Sequence, residues 1–237
     1  MMPNFLHSFN KHAKTYSANS LAQQDLALLL LKNLKQRAYT KVLDLGAGSG
    51  MVANILEKYG IQVDELIALD SAQNMLECHK KVSSKIQKIT LELADFECYE
   101  FKAYDLIIAC SSLQWALNLE KLLKDIALSA KEVALAIHTD FSLHEVHAFL
   151  KTNSPLKSAY ALKSMLKNIF KDFDYNIQTK RLALHFENKE DFFSHLQKSG
   201  LLGGGTLSFK QKKDFFKNMA FEKLSYEALL FWAIKRS

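Results

Sequence analysis

Acids and glycines carry the most informative chemistry in this chain. Asp44 precedes Gly46, Gly48 and Gly50 in the run KVLDLGAGSG, and Asp70 stands twenty residues (70 − 50) beyond the last of these glycines. Glycines at alternate positions let a turn take positive φ and let a ligand lie against the main chain before the next helix. A carboxylate two residues before the first glycine can face the ammonium group of an amino-acid ligand, and it would repel a pyrophosphate. An acid at the end of the following strand can take both hydroxyls of a ribose. Asp95, in Ala94-Asp95-Phe96, closes a third strand, where its carboxylate can accept the exocyclic amine of adenine while a following backbone N–H reaches the ring nitrogen.

Each residue also has a plainer reading. A glycine triplet alone is weak evidence, an aspartate closing a strand is often only a helix cap, and Asp95 alone would be a turn residue. A G-x-G-x-x-G turn followed by an acid marks dinucleotide binding, but the spacing here is G-x-G-x-G. In order and in register, the strand, acid, glycine turn, helix, second strand and second acid resemble the S-adenosylmethionine-binding motif of class I methyltransferases. That resemblance implies first-turn contacts from Asp44, Gly46, Ala47, Gly48 and Gly50. It implies further contacts from Asp70, Ser71 and Met75, and then from Asp95, Phe96 and Ser111. Met75 reads equally well as a core residue.

These residues need elements to hold them. Val42 to Leu45 reads as a buried strand within Tyr39 to Leu45, Met51 to Tyr59 as its helix with Gly60 as the stop, and Glu65 to Leu69 as the second strand. Ser71 is placed to cap a helix through Lys81, Lys88 to Leu93 forms a third strand, and Tyr104 to Ala109 is a fourth, buried on both faces. A helix from Leu117 to Ala130 and a strand from Glu132 to Ile137 complete five βα units, which demand a mostly parallel sheet. Ahead of them Ser20 and Gln23 fit a capping box for a helix running to Lys35. Beyond Thr139 the alternation loosens. Ser142 and Glu145 fit a second cap, and helices are expected over 158–170, 189–199 and 210–218, with strands over 176–186 and 226–235 and a flexible break at Gly203-Gly204-Gly205.

With 237 residues, 49% of them hydrophobic and 24% charged, the chain reads as one α/β domain. Within it, residues 1–38 are an N-terminal helical segment, 39–138 a cofactor-binding core, 139–218 a cap and acceptor region, and 219–237 a final strand. The start has no signal-peptide pattern and no segment is long enough to span a bilayer, so a cytoplasmic protein is expected. Cys78, Cys98 and Cys110 lack C-x-x-C spacing, and His144-Glu145-x-His147 does not place two imidazoles at i, i+4, so neither a disulfide nor a metal is expected. The excess of 31 basic over 25 acidic residues, with lysines gathered over 157–181 and 210–217, suits an acidic partner, although it is more often a solvated surface.

Further stretches carry a closer resemblance. Ser8 to Tyr16, the block Asp105 to Trp115, Ser142 to His147 and Leu196 to Gly200 resemble the malonyl-acyl-carrier-protein O-methyltransferases of biotin synthesis, the BioC family. Family members often have Asn where this chain has Cys110, and Leu-Lys where it has Leu196-Gln197. The resemblance implies a Rossmann-like class I fold with a seven-stranded sheet, helices on both faces and a helical cap. It also implies methylation of the free carboxylate of a malonyl thioester on acyl carrier protein, with Tyr16, Gln114 and Trp115 shaping the acceptor pocket. A carboxylate is ionised at neutral pH and needs no general base. A methyltransferase for another small carboxylate or a quinone-like acceptor would share every cofactor residue. An RNA methyltransferase would suit the charge, but the tetrad after the fourth strand is Ser111-Ser112-Leu113-Gln114 and no RNA-binding module is evident.

Overall fold

A computed structural model describes residues 9–11, 13, 20–198, 209–219 and 222–236. Its centre is a seven-stranded sheet of order β3-β2-β1-β4-β5-β7-β6. The strands are β1 (Ala38–Leu45), β2 (Gln62–Asp70), β3 (Ile86–Leu93), β4 (Tyr104–Cys110), β5 (Ala130–His138), β6 (Phe173–His185) and β7 (Lys223–Lys235). β1 to β5 are parallel, while β7 runs antiparallel to both β5 and β6. Helices α1 (Leu21–Lys32), α2 (Met51–Lys58), α3 (Gln73–Glu77) and α4 (Leu119–Ser129) precede or link the parallel strands. α5 (His144–Leu150), α6 (Ala159–Ile169), α7 (Lys189–Lys198) and α8 (Phe209–Asn218) follow β5.

Strand periodicity sorts the core into two layers. Val42, Leu66, Leu106, Ile108 and Leu230 meet Leu26 and Leu30 of α1 and Leu56 of α2 on one face. Leu43, Leu69, Ile107 and Leu135 meet Leu123 of α4 and Leu162 and Leu166 of α6 on the other. A third cluster joins Val146 of α5, Phe192 of α7 and Phe215 of α8 to Tyr226 of β7, with Trp115 packed against it.

The local punctuation differs from expectation in three places. α1 starts after Ser20 as its pattern requires, but Ser20 makes no side-chain cap bond to the helix and the Oε1 of Gln23 is buried without a partner, so there is no capping box. α3 is capped at Ala72, not Ser71, and ends at Glu77; the Oδ1 of Asp70 accepts the Ala72 N–H at 2.8 Å and starts the helix one residue later. At α5, Ser142 bonds main-chain N–H and C=O of Glu227 on β7, and Glu145 accepts from the N–H and hydroxyl of Ser225. Both side chains therefore serve the tertiary fold, and Leu143 opens the helix with φ of 58°. Tyr16 and the glycines at 203–205 lie outside the described residues.

Candidate functional site

The loops following β1, β2, β3 and β4 meet at the C-terminal edge of the sheet, where parallel α/β folds place ligands. They enclose a cavity of about 370 Å³. Gly46, Ala47 and Gly48 form its floor, with Asp70, Ser71 and Met75 from the next loop. Asp95 and Phe96 line the part reached from β3, and Ser111, Ser112, Trp115 and Leu117 the part reached from β4. Phe9, α1 through Ser20 and Gln24, and α2 through Met51, Asn54, Ile55 and Lys58 supply further wall.

The glycines have separate reasons to be there. A Cβ on Gly46 would lie 2.3 Å from the Cβ of Ser112, whose hydroxyl donates to the Leu45 carbonyl at 2.6 Å and pins the β1 and β4 loops together. Gly48, at φ of 56°, leaves room for Met75, which is thus both a core residue and a cavity wall. Gly50 is the left-handed N-cap of α2 and lies against the His79 ring, so it serves packing and does not line the cavity.

Asp70 ties two loops together. Its Oδ2 accepts the Gly48 N–H at 2.8 Å while Oδ1 takes Ala72. Burial pushes its carboxyl above the ordinary range and these amides pull it back. Helix cap and cavity wall are therefore the same residue. Asp95 behaves alike, lining the cavity while its Oδ1 accepts the Glu97 N–H at 2.9 Å in an Asx turn.

Asp44 is different. It lies behind the cavity wall, 1% exposed, and neither carboxylate oxygen has a hydrogen-bond partner. Burial, and then the charge of Asp70, push its pKa up to about 8. Cys110 shares this pocket of low polarity; burial and then the Asp44 charge push its thiol up to about 12. A buried carboxylate with nothing to bond is costly unless a cation completes it. Those two orphaned oxygens beside a glycine cradle fit a ligand with an ammonium group at one end.

At the other end of the cavity Ser111 holds φ of 61°, a strained conformation for a residue with a Cβ. Gln114 stands behind it. Its Nε2 donates to the Ser111 carbonyl at 2.7 Å, so Gln114 shapes the turn and does not line the cavity. Trp115 does line it, meeting Phe9 edge-on at 6.4 Å. Among the described residues, none of those lining the cavity comes from 139–218: α6 packs against the α4 layer, and α5, α7 and α8 pack beside Trp115.

One strand over, the loop after β5 is met by residues from later elements. Lys157 accepts the Asp140 N–H through its main-chain carbonyl, and the Arg181 guanidinium lies 4.1 Å from the Phe141 ring centroid. His144 stacks on the opposite partner of that contact, Phe141, at 4.2 Å, and His147 meets Thr152, so neither histidine is arranged for a metal. Among the described residues no group of three or more His, Cys, Asp or Glu side chains could hold one. No helix there is long and apolar enough to cross a membrane.

Sequence reasoning missed the contribution of α1 to the wall, because Ser20 and Gln23 read as a capping pattern and Gln24 carried no signal. The three-residue turn of helix at Leu113–Trp115 had a signal in the polar run after β4.

Comparison with known proteins agrees with this geometry. Residues 42–132 match the family described as a methyltransferase domain. The malonyl-[acyl-carrier protein] O-methyltransferase of Priestia megaterium is 24% identical over 237 residues, covering 89% of this chain and 85% of that protein. The enzyme of the same name from Haemophilus influenzae is 25% identical over 215 residues, covering 86% and 80%. The resemblance to this family therefore extends over most of the chain. Among solved structures, the YcgJ protein from Bacillus subtilis superposes with a TM-score of 0.61 at 18% identity, over 90% of this chain and 99% of that one. The plantazolicin methyltransferase BpumL, in complex with a monoazolic desmethylPZN analogue and SAH, gives 0.58 at 16% identity over 98% and 89%. With the methyltransferase-domain match, these likenesses show the class I methyltransferase fold.

Proposed function

Because this chain is an S-adenosylmethionine-dependent methyltransferase of class I fold, we propose that it methylates the free carboxylate of a malonyl thioester carried on acyl carrier protein, in biotin synthesis. The names of its relatives support that acceptor, and one observation about the cavity supports its chemistry. Lys58, Asp70, Asp95, Glu97 and Cys110 are the titratable groups on the described wall. Asp70, Asp95 and Glu97 already accept main-chain N–H groups, and the Cys110 thiol is held protonated. Such a wall suits an acceptor that arrives as an anion and needs no proton removed.

In this reading Asp44 receives the amino-acid end of the methyl donor, Gly46 to Gly48 carry the main-chain contact beneath it, and Asp70 takes the ribose hydroxyls with its remaining lone pairs. Asp95 and the main chain at Phe96 take the adenine, and Ser71 and Met75 close the side. The bound methyl donor supplies the electrophile. The protein's part is alignment and exclusion of water, which strengthens the attraction between the acceptor anion and the sulfonium. Trp115, Leu117 and Phe9 provide the apolar end where this occurs, and Ser111 holds its turn. Tyr16 is proposed for the same end, and residues 139–218 as the acceptor face beside Trp115. The basic side chains of Lys157, Lys163, Lys167, Lys171 and Arg181 suit the acidic carrier.

Mass spectrometry of malonyl-carrier protein after incubation with enzyme and methyl donor tests the proposal. The expected product is the carrier with one methyl ester on its malonyl group. An unmodified carrier, with methylation of free small carboxylates or quinones instead, would overturn the acceptor assignment and leave the methyltransferase activity standing.

A further inference from the structure

Asp44 is not alone in lacking partners. The Oε1 of Gln23 is also buried without a hydrogen bond, although Gln23 occupies a stripe of α1 otherwise formed by Leu26, Ala27, Leu30 and Leu31. Burying an amide oxygen there unpaired is unfavourable, and a leucine or methionine would pack the same position without that cost.

Topology brings the two residues that carry these groups close to one another. Asp44 lies on the β1 face that carries Val42, with Ile108 of β4 as its register partner, and Cys110 is the next residue of β4 on that face. The Cys110 thiol approaches the Gln23 main-chain carbonyl at 4.0 Å and also feels the Asp44 charge. The Gln23 main chain and Asp44 therefore both border Cys110, one from α1 and one from the sheet. Both of their neighbours reach the cavity: Ser20 and Gln24 line it from α1, and Gly46 lines it two residues after Asp44.

Three oxygens without donors need a group that brings several N–H bonds and a positive charge. A primary ammonium has three donors on one atom, and the amino-acid end of the methyl donor carries one. We propose that Gln23 is a cofactor-binding residue whose Oε1 takes one N–H of that ammonium while Asp44 takes the others. A glutamine outside the glycine motif thereby couples the first turn of α1 to an occupied cofactor site. The inference concerns the methyl donor alone and is independent of which acid is the acceptor.

Calorimetric titration with S-adenosylhomocysteine and with its deaminated analogue, whose α-amino group is replaced by hydrogen, tests it. Gln23→Met keeps the length of the side chain and removes the acceptor. It should weaken S-adenosylhomocysteine about tenfold, the effect of one hydrogen bond to a charged group, and leave the deaminated analogue within about twofold of wild type. Gln23→Glu, which keeps an acceptor oxygen, should retain binding of S-adenosylhomocysteine. Unchanged affinity in Gln23→Met, or equal losses on both ligands, would overturn the assignment, the second outcome pointing to packing of α1. Should Gln23→Met fail to fold, Gln23→Leu read the same way decides the matter. A wild-type protein that binds neither ligand would instead remove the methyltransferase premise.

Discussion

Two buried acids at the same edge of the sheet are treated in opposite ways. Glu227 of β7 accepts from the Thr139 hydroxyl at 2.7 Å and from the Arg181 Nε at 2.7 Å, and its main chain is bonded by Ser142. Asp44 of β1 is as well buried and has no partner on either oxygen. The β5–β7 half uses its acid to fasten a loop to the sheet, so its bonds are complete. The β1–β4 half keeps an acid uncompensated, a burden on stability that a cationic ligand would relieve. Stability and function are thus assigned to different carboxylates.

Substitutions that exchange these roles should separate them. The largest effect is expected for Asp44→Asn, which should lower affinity for S-adenosylhomocysteine about a hundredfold through loss of a charged partner. The same variant should be more stable than wild type at pH 8 without cofactor, measured by urea denaturation, because an amide needs no buried charge. Glu227→Ala should do the reverse, costing about 2 kcal/mol of stability by leaving the buried Thr139 hydroxyl and Arg181 unpaired while cofactor affinity changes little. Loss of affinity in Glu227→Ala would merge the two halves into one functional unit.

The pH dependence of the cofactor-free protein offers a smaller contrast. The carboxyl of Asp44, raised to about 8 with Asp70 and Cys110 as its facing groups, holds its proton longer than in the unfolded chain. Its contribution to stability is complete below the ordinary carboxylate range and is lost as pH rises towards 8. His138 and His195 are lowered to about 4 by burial, so their contribution is complete above about 6.5 and is lost as pH falls towards 4. Wild type should therefore lose about 1–2 kcal/mol between pH 6.5 and 8, and Asp44→Asn should not. Both should lose stability alike on the acid side.

How much of this was legible in the sequence follows from the range of each interaction. The strands, their parallel order and the acids beside the glycines were readable, because period-two burial and glycine turns are local patterns. The caps were not. Ser142 and Glu145 spell a capping box, yet they bond β7 some eighty residues away, and Ser20 with Gln23 spells another that the structure lacks. A short-range pattern cannot say whether a polar side chain is used by its own helix or by a distant strand. Gln114 reads in the sequence as a shaper of the acceptor pocket, and in the structure it supports the Ser111 turn from behind, a detail that depends on which side of a strained backbone faces the cavity.

The smallest effect belongs to the outer surface. Reversing Lys163, Lys167 and Lys171 to Glu should raise KM for malonyl-carrier protein severalfold at low salt, with the effect fading above about 0.1 M, and leave a small malonyl thioester nearly untouched. Steady-state kinetics on both acceptors would show it. Equal losses on both would place these lysines in folding or in the site itself.

The account rests most heavily on Asp44 as a carboxyl that waits, protonated, for a cation. Titrating S-adenosylhomocysteine into the protein at pH 7 in two buffers of different ionisation enthalpy counts the protons exchanged on binding. Release of close to one proton per cofactor in wild type, and none in Asp44→Asn, is the predicted result. Binding without proton release in wild type, or the same release in both proteins, would contradict it.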